Sequence, residues 1–118
     1  MSDAQFFLRV LYNIIYITPK HHKSEMKHSK ELMNLAADNI RILAASMVER
    51  AKSGHPGGAM GGADFINVLY SEFLNFDPDC PTWACRDRFF LDPGHMSPML
   101  YSQLALIGNY TIDDLKNF

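Results

Sequence analysis

A chain of 118 residues, 47% of them hydrophobic and with seven glycines and six prolines, has room for one small domain or part of one, and its composition is globular rather than disordered. Its 11 basic and 13 acidic side chains nearly cancel, which excludes the broad positive field that gathers nucleic acid or an anionic membrane surface. Cys80 and Cys85 are too few for a disulfide scaffold and lack the His or Cys neighbours of a zinc site, so a reducing, cytoplasmic setting is expected.

The first apolar run, Phe6 to Ile17 (FFLRVLYNIIYI), is broken by Arg9 and Asn13 and is shorter than the ~20 apolar residues of a spanning helix. Asp3 before it and Thr18-Pro19-Lys20 after it do not fit a secretory signal. A polar, basic stretch follows, Lys20 to Lys30 (KHHKSEMKHSK), which reads as a hinge with a domain boundary near Met26. Residues 1–25 are then either an extension upstream of a true start at Met26 or an extra element that docks on a partner. His21, His22 and His28 lack metal-ligand spacing on a rigid element and read as solvent-exposed.

Ser29 caps a predicted helix whose apolar positions, Leu32, Leu35, Ala36, Ile40, Leu43, Ala44, Met47 and Val48, recur at three- and four-residue steps. Lys52 suits the helix dipole in the last turn and Ser53-Gly54 ends it. Gly54 to Gly62 (GHPGGAMGG) holds five of the seven glycines and is expected to be a loop with unusual backbone angles or a close approach to something else. A second helix, Ala63 to Leu74, carries a broad apolar face and is expected to be well buried.

The loop Asp77 to Trp83 is proline-rich, with Trp83 expected to pin it to the core. Phe89 to Leu91 reads as a short buried strand interrupted by Asp92-Pro93-Gly94. Met96 to Ile107 has helical spacing and ends at Gly108, and Thr111 with Asp114 forms a variant capping box for a last short helix.

Two histidines carry the chemistry this order allows. His95 lies where a strand hands over to a helix, the place where open α/β sheets bind ligands. The amides of the following helix start, the Ser97 hydroxyl and a His95 nitrogen would together suit a phosphate or diphosphate. The alternative is a histidine that only satisfies its own turn. His55, between Gly54 and Pro56, is a candidate for proton transfer or hydroxyl binding, since imidazole titrates near neutral pH. The alternative there is an incidental histidine in a flexible connection. The glycine-rich segment matches neither a dinucleotide fingerprint nor a P-loop. No nucleophilic Ser or Cys with a partnered base stands out.

The helix from Asn34 to Lys52, SGHPGGAMGGAD, the tryptophan loop, RDRFFLDPGHMS and the closing LKNF together resemble the opening of transketolases, over residues 26–118. The resemblance implies an α/β fold, of which this chain would hold an incomplete, mostly helical amino-terminal portion of the thiamine diphosphate-binding domain, a parallel sheet flanked by helices. It implies that His95 contacts the cofactor's diphosphate and that His55 binds sugar hydroxyls and helps move protons. The reaction implied transfers a two-carbon ketol unit between ketose and aldose phosphates in the pentose phosphate pathway, in a homodimer.

The familiar Gly-His-Gly-Ser reads Gly94-His95-Met96-Ser97 here, followed by Pro98. Magnesium is implied by the resemblance, but its Gly-Asp-Gly and Asn motif is absent from this chain, so no metal ligand is assigned. An isolated copy is expected to be inactive, because that motif, a further loop histidine and the domain that grips the aminopyrimidine are missing, and to be marginally stable unless a second chain completes it, since a lone strand leaves its edges unpaired. Three other readings stand beside this one: a deoxyxylulose phosphate synthase-like enzyme, which accounts less well for SGHPGGAMGGAD, a noncatalytic interaction module, and a decayed gene fragment.

Overall fold

The computed structural model describes residues 27–118; the expectations for the leader, its boundary at Met26, His21 and His22 lie outside the described residues. Among the described residues five α-helices follow in order, α1 (Lys30–Ala51), α2 (Pro56–Gly61), α3 (Ala63–Val68), α4 (Ser97–Leu106) and α5 (Ile112–Leu115). A π-helical turn, Leu69–Phe73, extends α3, and a 3-10 turn, Gly94–Met96, leads into α4.

The ends of α1 follow from its terminal residues. Ser29 Oγ accepts the Leu32 N–H at 3.2 Å, satisfying one of the orphan amides of the first turn. Lys52 takes a left-handed conformation (φ 52°) and donates its N–H to Glu49 O at 3.2 Å. Gly54, at φ 99°, then turns the chain back toward the helix, a conformation that favours glycine.

The buried stripe of α1 is Met33, Ala37, Ile40, Ala44 and Met47. Ile40, Ala44 and Met47 are buried as the spacing predicts; the correction is confined to the first turns, where Leu32 and Leu35 are exposed and Met33 and Ala37 are buried instead. Small side chains at Ala37 and Ala44 let neighbouring helices approach closely. α1 packs against α2, α3 and α4, and the core they share is Ala37, Ile40, Ala44, Ala59, Ala63, Ile66 and Met99. Asn67, buried on α3, donates its Nδ2–H to Met33 O at 3.0 Å, satisfying a polar group that burial would otherwise penalise. On the surface Arg41 pairs with both Asp38 and Asp64, joining α1 to α3.

The glycine-rich segment is a second correction, since residues 56–61 form a helix rather than a loop. Pro56 at its first position is pre-organised for helical φ and loses no needed amide, and Gly62 N–H returns to Gly58 O at 3.0 Å. The next helix begins where expected, but Leu74 N–H reaches Leu69 O at 2.9 Å, widening its last turn. It is also less buried than expected: Phe65 is 58% and Phe73 70% exposed.

Phe89 to Leu91 is extended but pairs with no neighbour, and no β-strand occurs among the described residues. A strand exists only with a partner for its amides and carbonyls. The segment is held instead by Phe89, whose ring lies 6.4 Å from those of Phe65 and Tyr70. Burial pushes the Tyr70 phenol up from its ordinary value. Trp83 does not pin its loop; it is 41% exposed. Asp87 does so, accepting the Asn75 backbone N–H at 2.8 Å and its side-chain amide at 3.1 Å, and returning its own N–H to Asn75 O at 2.8 Å. Cys80 and Cys85 are both free and exposed.

The capping box at α5 is present as the sequence predicts. Thr111 N–H donates to Asp114 Oδ2 at 2.8 Å, and Asp114 N–H donates to Thr111 Oγ1 at 3.1 Å. The Thr111 N–H foremost, and then the Thr111 hydroxyl, which donates to the same Oδ2 at 2.7 Å, hold the Asp114 carboxyl below its ordinary value. A depressed carboxylate contributes stability above the unfolded value near about 3.9, lost as pH falls through the folded value. Thr111→Ala is therefore expected to raise the Asp114 midpoint in an NMR titration and to shift acid loss of the final turn to higher pH. An unchanged midpoint would show that the Thr111 hydroxyl does not hold the carboxylate.

Candidate functional site

His55 occupies the cap position immediately before α2, with extended backbone (φ −126°, ψ 119°) and no capping bond from its side chain. The proline that follows starts the helix, so the imidazole stays exposed at the helix's amino-terminal end. His95 sits in the 3-10 turn, also exposed. That turn closes through Met96 N–H to Pro93 O at 2.9 Å and runs directly into α4.

The fold brings these two separate segments together. The 3-10 turn packs on α2, and a Cβ added at Gly58 would fall 3.8 Å from His95 Nε2. Gly58 is three residues beyond His55 along the helix, which is less than one turn. Both imidazoles thus belong to the amino-terminal end of α2, one preceding it in the chain and the other packed against its first turn.

The donors there are two imidazoles and, beside His95, the half-buried Ser97 hydroxyl at the start of α4. Such a donor set at helix starts suits an anion such as a diphosphate. Gly57, Gly61 and Gly94 have nothing within 4 Å of an added Cβ, leaving the surroundings open. Among the described residues no three His, Cys, Asp or Glu side chains converge in a group that would hold a metal.

Sequence reasoning missed how the site is packed. Met96 and Met99 lie across Gly58 and Gly62, where a Cβ at Gly58 would fall 3.0 Å from Met96 Cγ and one at Gly62 would overlap Met99 Sδ. The signal available was the spacing of those glycines, four apart, which places both on one face of a helix.

Residues 32–118 match the family described as transketolase, thiamine diphosphate binding domain. The chain belongs to that family. It is 44% identical to the transketolase of Aquifex aeolicus (strain VF5) over 93 residues, 78% of this chain and 14% of that protein. It is 48% identical to transketolase 1 of Escherichia coli (strain K12) over 94 residues, 79% of this chain and 14% of that protein. With transketolase 2 of Vibrio parahaemolyticus serotype O3:K6 (strain RIMD 2210633) it shares 52% identity over 83 residues, 70% of this chain and 12% of that protein. The matched region therefore spans about one seventh of the length of these relatives. No helix among the described residues is long and apolar enough to cross a membrane.

Proposed function

We propose that residues 26–118 are the amino-terminal part of a cytoplasmic transketolase-type enzyme that moves a two-carbon ketol unit from a ketose phosphate to an aldose phosphate in the pentose phosphate pathway. The observation that carries this reading is the packing of the His95 turn onto the first turn of α2, which joins two distant motifs at one helix end. Thiamine diphosphate, when bound, supplies a thiazolium that stabilises the carbanion. His95 and the start of α4 would hold its diphosphate end, while His55 would hold sugar hydroxyls and carry protons.

The parallel sheet, the magnesium ligands and the partner subunit of a homodimer would come from further polypeptide. The exposed Phe65 and Phe73, which line one surface depression with the half-buried Val68 and Leu69, support that reading, because apolar side chains grouped on a surface mark a contact with something else. A noncatalytic module would use the same surface without the cofactor, so cofactor binding separates the two.

The species captured from source cells with an antibody to residues 29–118 is expected to be several times the 13.4 kDa of this chain and to bind thiamine diphosphate. A species of 13.4 kDa with no affinity for it would overturn the proposal. In the cofactor-binding species, His95→Ala is expected to weaken thiamine diphosphate about ten- to a hundredfold by calorimetry, the loss of one hydrogen bond to a charged group, worth about 1.5–3 kcal/mol.

A further inference from the structure

Glycines four apart on a helix leave a strip of bare backbone spanning one turn, and a side chain laid along it is gripped at both ends. That strip is Gly58, on α2, and Gly62, the residue that caps it. Along it lies Met96: an added Cβ at Gly58 would fall 3.0 Å from its Cγ and 3.3 Å from its Sδ, and one at Gly62 would fall 3.3 Å from its Cε. The thioether therefore runs from one glycine to the other, sharing Gly62 with the Sδ of the fully buried Met99.

His95 is the adjacent residue, exposed, and the bonds that close its turn, Met96 N–H to Pro93 O and Ser97 N–H to Gly94 O, fix the backbone and not the ring. Without a neighbour that constrains the side chain, an exposed imidazole on such a turn samples several staggered χ1 wells. We propose that Met96 is a positioning residue: seated in the Gly58–Gly62 strip, it fixes the turn and holds the His95 imidazole against the first turn of α2. Its functional consequence rests on the diphosphate role proposed above for His95. Unbranched and soft, methionine follows such a strip readily. If release leaves the ring in the correct one of three wells about a third of the time, apparent affinity at His95 falls about threefold.

The test uses the full 118-residue chain, isotopically labelled, and reads the His95 ring by NMR. The expected results are a ring-to-Gly58 cross-peak and a single χ1 rotamer in the unaltered chain. Met96→Gly is expected to abolish that cross-peak and average χ1 while leaving the Ile40 and Ile66 methyl resonances in place, and Met96→Leu to restore both. Gly58→Ala, which crowds Met96 from the helix side, is expected to weaken the same cross-peak. An unaltered chain without the cross-peak, or a Met96→Gly variant that keeps both signals, would overturn the inference.

Inorganic pyrophosphate separates this inference from the cofactor reading. It is expected to shift the His95 ring resonances, with a midpoint raised about threefold in Met96→Gly. Pyrophosphate that leaves His95 undisturbed in the unaltered chain, while Met96→Gly still frees the ring, would overturn the diphosphate role and keep the positioning one.

Discussion

Ile66→Ala is expected to destabilise the described unit by about 4 kcal/mol, read as a lower urea midpoint in far-UV circular dichroism. Ile66 is fully buried, and four of the seven members of its core cluster are alanines. Ile40, Ile66 and Met99 therefore contribute most of the bulk between the helices. Truncating such a residue removes its transfer free energy and leaves a cavity, about 2–5 kcal/mol together. The closely packed alanines have no long side chains with which to fill the gap, which puts the loss toward the upper part of that range. Against a typical total of about 5–15 kcal/mol this is a large share. Leu35→Ala is the matched control. At 60% exposure it is expected to change stability by no more than about 0.5 kcal/mol. A larger loss at Leu35 than at Ile66 would show that Leu35, and not the described core, carries the packing.

The second large effect is on turnover. In the cofactor-binding species, His55→Ala is expected to lower kcat about a hundredfold with little change in thiamine diphosphate affinity, the opposite pattern from His95→Ala. The reasoning rests on position. His55 precedes α2, is exposed and makes no capping bond, so removing its side chain costs the fold little. General acid–base groups contribute about 10²- to 10⁴-fold, and the lower end applies where neighbouring groups or water share the proton transfer. His55→Gln separates its roles: an amide retains hydroxyl binding but cannot titrate, so KM is expected to recover while kcat stays low. Loss of cofactor affinity with unchanged kcat would exchange the roles assigned to the two histidines.

Local chemistry made several elements legible. Ser29 at the start of α1, Lys52 and Gly54 at its end, and the Thr111–Asp114 box are each decided by atoms within a few residues. The two histidine motifs were legible for the same reason, since SGHPG and DPGH are short and contiguous. The glycine-rich helix was not: glycine has poor helical propensity, and only packing under Met96 and Met99 rewards the missing side chains. The stripe on α1 misled only in its first turns, where Leu32, Met33, Leu35 and Ala37 are all apolar and the neighbours decide which are buried.

The sequence by itself determined the ends of α1, the cap of α5, the family motifs and the near-neutral charge, all properties of neighbouring residues or of composition. Only the tertiary structure decided that Phe89 to Leu91 stays unpaired among the described residues, that Asp87 rather than Trp83 holds the central loop, and that Met96 carries His95 to α2. Each of these depends on a partner distant in the chain. Pairing, burial and close approach are properties of two segments at once, and no single segment encodes which neighbour it will meet.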